Sequence, residues 1–233
     1  EAWCMEELLS KNIDGMLIEP SQSAISCQHQ VLYDQMDAMG IPYVFIQGCY
    51  EAMMDRPYVM IDDVKGGRLI TQHLITLGHR NIAGIFKADD TQGILRHKGY
   101  VKALSEAGIP YNPDLVVWYH TKDRNTKPME SLLRILENGI SCHAVVCYND
   151  EIAADVIKSL QNIGRNVPHD ISVTGFDNSL LAHSKGITTI AHPQEELGKK
   201  AAETLLGLID KTISKKEAHI LLEPKLVERK SCF

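Results

Sequence analysis

The sequence has 233 residues, of which 44% are apolar and 23% charged, a composition typical of a globular protein with a sizeable core. Its apolar stretches fall well short of the roughly 18–20 residues that a membrane-spanning helix needs. Lys and Arg number 24 against 30 Asp and Glu, which gives a net charge of −6, and no basic cluster of the kind that grips nucleic-acid phosphates is visible. These values argue against a membrane span and against DNA contact by this part of a protein.

Six cysteines are scattered along the chain without a Cys-x-x-Cys pair. The spacing of a zinc site is therefore missing, and a disulfide framework is not expected at this length. Cys27, Cys142 and Cys147 lie in or beside apolar stretches, which predicts buried, reduced thiols. This cysteine usage favours a reducing compartment, the cytoplasm.

Short β-branched runs alternate with longer segments of helical period along the whole chain. In chain order the predicted strands are Gly15–Ile18, Tyr43–Ile46, Tyr58–Ile61, Ile82–Phe86, Leu115–Tyr119, Ala144–Tyr148, Ile171–Gly175 and Leu221–Val227, with a shorter run at Ile187–Ile190. Between them, apolar residues recur at helical spacing, and Gly-Ile-Pro or single glycines mark the helix ends. Several strands are apolar on both faces, as strands covered by helices on each side must be. The alternation predicts an α/β fold with parallel sheets flanked by helices.

Polar residues follow nearly every predicted strand, at the edge where parallel α/β sheets bind their ligands. They are Glu19, Ser21, Gln47, Asp62, Asp63, Lys87, Asp89, Asp90, His120, Thr121, Asn149, Asp150, Glu151, Asp177, Asn178 and His192. Carboxylates, amides and histidines of this kind suit a small polyhydroxylated ligand, because each hydroxyl group both donates and accepts hydrogen bonds. The alternative is that Asp63, Asn149 and Asp177 simply cap the helices that follow them.

Signatures of the common enzyme classes are missing. The sequence has no Gly-x-Ser-x-Gly elbow, no Walker loop, no Gly-x-Gly-x-x-Gly and no His-Glu-x-x-His. The acid pairs Asp62-Asp63 and Asp89-Asp90 are adjacent in extended chain, so their side chains face opposite ways and do not share one substrate. The sequence therefore predicts a binding protein that is not an enzyme and that needs no cofactor and no metal ion.

Several short strings together resemble the effector-binding core of the lactose/galactose repressor family. They are Asp14-Gly15-Met16-Leu17-Ile18, Gly40-Ile41-Pro42-Tyr43-Val44, Gly66-Gly67 with His73-Leu74 and Leu77-Gly78-His79, Arg96 with Gly99-Tyr100, Tyr148-Asn149-Asp150, Gly175-Phe176-Asp177 and the closing Leu226-Val227-Glu228-Arg229-Lys230-Ser231. The resemblance covers the chain from about residue 8 to its end. It implies two Rossmann-like lobes of the periplasmic-binding-protein type I, with parallel sheets and three crossover strands, and a sugar in the cleft between the lobes.

The resemblance also implies lobe boundaries and a set of sugar contacts. One lobe is expected from residues 1–61 and 193–220, with its first strand missing, and the other from residues 62–192 and 221–233. The family's contacting arginine, asparagine and aspartate fall on Arg96, Asn149 and Asp177, and the polar residue of the second crossing falls on His192. In many members the strand after Gly-Ile-Pro ends in Asp-Arg, whereas this sequence has Gln47-Gly48. Glu19, Lys87 and Asp89 are the natural replacements for the contacts that the Asp-Arg pair supplies.

Other strings are similar to the arabinose-responsive members of that family. They are Glu19-Pro20, Asp62-Asp63-Val64-Lys65-Gly66-Gly67, Phe86-Lys87-Ala88-Asp89-Asp90-Thr91-Gln92-Gly93 and Cys147-Tyr148-Asn149-Asp150-Glu151-Ile152-Ala153. This similarity implies a homodimeric bacterial transcriptional repressor induced by L-arabinose or a similar monosaccharide. Operator DNA is expected to bind to a winged-helix domain of the GntR type that precedes the sugar core and is absent from this sequence, which opens in the pattern of a helix already under way.

A periplasmic sugar receptor of a transporter is the alternative, because it shares the fold and the cleft. Six unpaired cysteines argue against an exported protein. The segment before the first residue separates the two functions, since a receptor begins with a signal peptide and a regulator with its winged helix.

Overall fold

The computed structural model describes all 233 residues, Glu1–Phe233. The helices are α1 Ala2–Leu9, α2 Gln30–Met39, α3 Asp63–Thr76, α4 Thr91–Glu106, α5 Lys127–Glu137, α6 Asp150–Asn162, α7 Leu180–Lys185 and α8 Gln194–Ile209. The strands are β1 Met16–Ile18, β2 Tyr43–Ile46, β3 Tyr58–Ile61, β4 Ile82–Lys87, β5 Val116–Tyr119, β6 Ala144–Cys147, β7 Ser172–Thr174, β8 Thr189–Ala191, β9 His219–Leu222 and β10 Lys225–Val227. None of the helices combines the length and the apolarity needed to cross a bilayer.

The chain forms two compact units, the first built from Glu1–Ile61 and Pro193–Leu222. Its four strands are all parallel in the order β1-β2-β3-β9. Side chains of β2 alternate between two apolar layers, as the pleat requires. Phe45 faces the layer that includes α1 and α2, whereas Val44 faces α8 and packs with Leu197. Both faces of this sheet are therefore covered, in agreement with the strands that are apolar throughout.

The second unit consists of Asp62–His192 and Glu223–Phe233. Its main sheet is parallel in the order β5-β4-β6-β7, and β8 and β10 form a separate antiparallel pair. The largest apolar cluster of the structure lies here, with β4, β5, β6 and β7 packed against α5, α6 and α7. The predicted α/β architecture with parallel sheets is confirmed.

Helices α3 and α4 of the second unit lie unusually close together, because glycines face each other's backbone. A Cβ atom on Gly67 would lie 2.2 Å from the carbonyl oxygen of Arg96, and one on Gly99 would lie 2.2 Å from the carbonyl oxygen of Val64. Only glycine allows so close an approach. The contact brings the middle of α4 toward the first turn of α3, which sets the position of Arg96.

The prediction of one continuous strand at Leu221–Val227 is wrong. The structure divides this segment into β9, which pairs with β3 in the first unit, and β10, which pairs with β8 in the second. Glu223 and Pro224 separate the two strands. Because proline has no backbone N–H, it interrupts a hydrogen-bonded ladder, and the chain changes sheets at this point.

All six cysteines are free thiols. Cys142 and Cys147 are buried as predicted, whereas Cys27 is only partly buried. Burial raises the pKa of the Cys142 thiol to about 11. A thiol in such surroundings stays protonated at neutral pH and is a poor nucleophile.

A candidate ligand-binding site in the second unit

Six of the seven predicted contact residues lie in the second unit, and the seventh, Glu19, lies in the first unit directly after β1 with an exposed side chain. Lys87 ends β4, Asp89 precedes α4 and Asn149 follows β6. Asp177 and His192 follow β7 and β8 in the same way. The carboxyl ends of parallel strands meet at one edge of the sheet, so the strand order itself places these residues near each other.

The guanidinium group of Arg96 is at the centre of this arrangement and only 2% of the residue is exposed. Its Nε donates to Asp63 Oδ1 at 2.8 Å, and its Nη1 donates to the carbonyl oxygen of Tyr148 at 2.7 Å. The group also lies 4.7 Å from the ring centre of Tyr148 and 3.6 Å from that of Phe176. Aromatic faces and charge-assisted hydrogen bonds together hold the guanidinium plane in one orientation. Its remaining nitrogen, Nη2, lies 3.8 Å from Asp177 Oδ1, which is beyond hydrogen-bond distance.

Asp63 is the buried partner of Arg96 and does not cap a helix. The neighbouring Asp62 caps α3 by accepting from the backbone N–H of Lys65 at 2.9 Å, so the alternative that Asp63 caps this helix is wrong. Burial raises the pKa of Asp63 to about 6, although the facing guanidinium of Arg96 favours the charged carboxylate. The two adjacent acids thus have different roles, one in the helix cap and one in the core.

Asp90 connects the end of β4 with the end of β6. It caps α4, and its Oδ2 accepts a hydrogen bond from the hydroxyl of Tyr148 at 2.7 Å. Lys87 Nζ lies 2.9 Å from the same oxygen. This network fixes Tyr148, whose ring and carbonyl oxygen both contact Arg96.

Asp89 is 1% exposed and has one unused oxygen. Its Oδ2 accepts from the backbone N–H of Thr121 at 2.9 Å, whereas its Oδ1 is buried without a hydrogen bond and lies 4.0 Å from Lys87 Nζ. Burial works against the charge, but the hydrogen bonds from Thr121 and the nearby lysine hold the pKa of Asp89 below its usual value. The free oxygen is a charged acceptor with no donor, which is costly unless something supplies one.

Asp177 has an uncommon backbone conformation, with φ at 108°. Its N–H donates to the carbonyl oxygen of Ile190 at 2.9 Å, which fixes it beside β8. The carboxylate is partly exposed and lies 3.7 Å from Nδ1 of His192, whose Nε2 is buried without a hydrogen bond. Asp177 does not cap a helix, because Ser179 caps α7. Non-glycine residues at such a φ cluster at functional sites.

Asn149 is the one strand-end residue of the alternative set that does cap a helix. Its Oδ1 accepts from the backbone N–H of Ile152 at 3.0 Å, at the start of α6. The amide nitrogen is not used in this cap. Asn149 therefore serves α6 with one end of its amide and keeps two donors for other use.

The two aromatic rings that hold Arg96 were not among the predicted contact residues. Tyr148 and Phe176 each stand directly before a predicted contact residue, and in an extended chain neighbouring side chains point to opposite faces. This alternation was an available signal for Tyr148, because Asn149 is extended. It was not one for Phe176, because Asp177 has a positive φ. The role of Asp63 as the counter-ion of Arg96 could be recognised only in the structure.

The arrangement can bind a neutral ligand with several hydroxyl groups. The groups not used in hydrogen bonds within the protein are Arg96 Nη2, the Asn149 amide nitrogen, the Asp177 carboxylate, His192 Nε2 and Asp89 Oδ1, of which the last two are buried. Donors and acceptors are mixed, as hydroxyl groups require. Four carboxylates surround two cations here, so an anionic ligand meets net repulsion. No group of His, Cys, Asp and Glu in the structure is arranged to hold a metal ion.

Comparison with known proteins agrees with this architecture. The family model of the periplasmic binding protein-like domain matches residues 71–232, more than half of the chain. The chain belongs to this family. The candidate site lies at the carboxyl ends of parallel strands, where α/β folds commonly bind ligands.

Curated relatives of this periplasmic binding protein-like domain include transcriptional repressors. The arabinose metabolism transcriptional repressor of Halalkalibacterium halodurans is 40% identical over 99% of this chain and 63% of the relative's length. The repressor of the same name from Geobacillus stearothermophilus is 37% identical over 97% of the chain and 63% of the relative. The chain thus spans less than two thirds of these relatives, none of which is named as an enzyme.

Solved structures give the same result for the periplasmic binding protein-like domain. A transcriptional regulator CelR–cellobiose complex matches with a TM-score of 0.86 at 28% identity, covering 98% of this chain and 69% of that one. A LacI family transcriptional regulator from Enterococcus faecium with bound ribose matches with a TM-score of 0.81 at 27% identity, covering 98% and 82%. The predicted resemblance to the lactose/galactose repressor family is confirmed.

Proposed function

We propose that the chain is the effector-binding domain of a bacterial transcriptional repressor and that its effector is L-arabinose or a similar monosaccharide. The names of the relatives support the repressor, and the arabinose repressors among them favour this sugar. The sugar acts as an inducer, and operator DNA is bound by a separate winged-helix domain in the complete protein. This division of labour fits the net charge of −6 in the present chain.

One observation carries the proposal: the guanidinium of Arg96 is fixed by Asp63, Tyr148 and Phe176 so that its free edge faces Asp177. A planar donor beside a carboxylate acceptor can bind two neighbouring hydroxyl groups of a sugar ring. In this proposal Asn149, His192, Lys87 and Asp89 supply further contacts from the second unit. Glu19, which follows β1, is a further expected contact that rests on the family resemblance alone.

Charge favours a free sugar over a sugar phosphate or a sugar acid. Lys87 is already paired with Asp90, and Arg96 with Asp63, so neither cation is free to neutralise an added anion. The unbonded oxygen of Asp89 accepts from a hydroxyl group and repels a phosphate. The proposed effector is therefore an uncharged pentose or hexose.

Induction follows from differential affinity. A sugar that binds one conformation of the domain more tightly than another shifts the population toward it, and a repressor in that conformation releases its operator. The repressor acts as a homodimer in the cytoplasm. The domain performs no chemistry on the sugar, so a time course by NMR is expected to show it unchanged.

Calorimetric titration tests this function directly. The full chain is titrated with L-arabinose, D-arabinose, D-ribose, D-galactose and ribose 5-phosphate. Tight binding of one neutral sugar with at least tenfold weaker binding of the phosphate supports the proposal. Indifference to every monosaccharide, or preference for the phosphate, contradicts it.

A further inference from the structure

Asp150 is a buried carboxylate outside the predicted contact set. It is 1% exposed and occupies the first turn of α6. Its oxygens are not used by the N–H groups of α6. Oδ2 accepts from both the N–H and the hydroxyl of Ser179, at 2.8 and 2.9 Å, and Oδ1 accepts from the hydroxyl of Thr189 at 2.7 Å. An acid that merely complements a helix dipole does not need contacts to two other elements.

The space for this carboxylate is provided by Gly175. A Cβ atom at that position would lie 2.3 Å from Asp150 Oδ1. The backbone N–H of Asp150 also donates to the carbonyl oxygen of Phe176 at 2.9 Å. Asp150 therefore contacts the end of β7, the cap of α7 and the start of β8 from one buried point.

Those three contacts enclose the turn Asp177-Asn178. Ser179 follows the turn directly, and the hydroxyl of Thr189 accepts from the N–H of Asn178 at 3.3 Å. Both turn residues have positive φ, 108° for Asp177 and 56° for Asn178. Such conformations persist only where the surroundings hold them.

We propose that Asp150 is a positioning residue for the effector site, which holds the carboxylate of Asp177 toward Arg96 and His192 by fixing Ser179 and Thr189. The inference rests on the proposed function for its effect on sugar binding. Asp150 does not touch the sugar. Its carboxylate accepts from both sides of the turn and so keeps the two left-handed residues in place.

The test is Asp150→Asn in the full chain, titrated with L-arabinose. An amide has only one acceptor oxygen, and its NH₂ group would face the donors of Ser179 or Thr189. We expect the affinity to fall about tenfold, equivalent to the loss of one hydrogen bond to a charged group. In an Asp177→Ala background the same substitution is expected to change the affinity no further, because the residue through which it acts is gone.

Amide NMR spectra of the sugar-free protein provide a readout that is independent of the ligand. The resonances of Asp177 and Asn178 are expected to move in Asp150→Asn. Asp155→Asn, the same change on the exposed side of α6, is the matched control and leaves them in place. Ser231→Ala removes buried hydrogen bonds to Val173 and Thr188, and it is expected to lower stability without the same loss of affinity.

Thr189→Val is the second variant if Asp150→Asn does not fold, since it removes one donor with little change in shape. Equal losses of affinity with and without Asp177, or unmoved Asp177 and Asn178 resonances, would overturn the role of Asp150. If the unmodified chain binds no sugar, the proposed function fails, and the two resonances alone then decide whether Asp150 holds the turn.

Discussion

At the scale of single residues, the buried ion pair of Arg96 and Asp63 is the dominant feature of the candidate site. Both side chains are at most 3% exposed. Burying two charges costs several kcal/mol each, and such a pair persists only when geometry and further hydrogen bonds compensate. Here two rings and a carbonyl oxygen complete the surroundings of the guanidinium. The pair therefore contributes little to the stability of the fold, but it holds the guanidinium donor of Arg96 in place.

Removing either side of the proposed sugar contact weakens binding. Arg96→Ala or Asp177→Ala is expected to lower the affinity for L-arabinose by about one to two orders of magnitude, since a hydrogen bond to a charged group contributes about 1.5–3 kcal/mol. Asp177→Ala is the cleaner test, because its carboxylate is partly exposed. Arg68→Ala, which breaks a surface ion pair with Glu106 on the same helix pair, is the control. Unchanged calorimetric affinity in both site variants would remove these residues from the site.

The raised pKa of Asp63 predicts a pH dependence of stability. Because the folded pKa of about 6 exceeds the ordinary value of 3.8, folding takes up a proton between these values. The contribution of Asp63 to the free energy of unfolding is therefore fully present below about pH 4 and is lost as the pH rises through 6. The total change is about 2–3 kcal/mol.

Urea unfolding of the wild type and of Asp63→Asn at pH 4.5 and pH 7 measures this change. The wild type is expected to lose stability relative to the variant between the two pH values. A gain in relative stability over the same range would mean that Arg96 outweighs burial and that the pKa of Asp63 is lowered.

The residues of the candidate site could be predicted from the sequence to different degrees. Lys87, Asp89, Asn149, Asp177 and His192 stand at strand ends, so the topology of a parallel sheet predicts that they lie together. Arg96 lies inside a helix and came from the family resemblance alone. The backbone angle of Asp177 depends on tertiary packing. The same packing decides that Asp63 faces the core and Asp62 does not, and the sequence shows only two adjacent aspartates.

At the scale of elements, the close packing of α3 and α4 determines where Arg96 lies. The two glycines that allow it, Gly67 and Gly99, each lie against the backbone of the facing helix. The sequence shows Gly66-Gly67 only as one of the strings of the family resemblance, and the packing role of Gly67 is not visible without the partner helix. Patterns of apolar residues predict that a helix exists far better than they predict the distance to its neighbour.

A methyl group between these helices will separate them. Gly67→Ala is expected to lower the free energy of unfolding by about 1–3 kcal/mol, a typical cost of overpacking, and to weaken sugar binding because Arg96 moves. Gly198→Ala in α8 is the matched control, since a Cβ there meets nothing within 4 Å. This control is expected to be neutral or stabilising by up to about 1 kcal/mol. Chemical denaturation and calorimetry of both variants measure these effects, and equal behaviour of the two would contradict the packing argument.

Some strand boundaries follow from the local sequence, whereas others depend on the topology of the whole fold. The runs Tyr43–Ile46 and Tyr58–Ile61 are strands as predicted, because each is bounded by turn residues and is apolar throughout. The segment from Leu221 to Val227 was predicted as one strand although Glu223 and Pro224 lie within it. Its division between two sheets depends on which strands β9 and β10 pair with, and the local sequence does not predict these partners.

At the scale of the whole molecule, both units are built from parallel β-α repeats, yet six of the seven predicted contact residues belong to the second. The second unit also contains all of the buried charges described above. The sequence offers one reason for this uneven distribution: Gln47-Gly48 stands in the first unit where many family members have a contacting Asp-Arg pair. The resemblance to the family supplied the two-unit architecture.

The proposed effector is expected to stabilise the folded chain when it binds. At a sugar concentration 100 times the Kd, the expected gain is about 2.7 kcal/mol, which raises the Tm by about 5–10 °C for a chain of this size. Scanning calorimetry with L-arabinose measures the shift, and D-arabinose at the same concentration is the control. An equal shift with both enantiomers indicates a general solvent effect and contradicts a specific site.

The proposed function predicts that sugar and operator binding are linked in the complete repressor. If sugar weakens operator affinity by some factor, operator DNA weakens sugar affinity by the same factor. Titrations of the full-length protein with L-arabinose, with and without an operator duplex, are expected to give this reciprocal change. Identical sugar affinities in the two titrations, in a protein that sugar releases from DNA, would show that the effect is not an equilibrium coupling of two sites.

In the proposed function, the left-handed backbone at Asp177 restricts how the sugar specificity of the domain can be altered. β-branched and bulky side chains are strained at a φ of 108°, so a library that randomises this position returns few folded members beyond Asn and Gly. Lys87 and His192 have no positive φ, and their side chains reach the same edge of the sheet. An engineer seeking a biosensor for a different pentose therefore has more freedom at those two positions than at the aspartate.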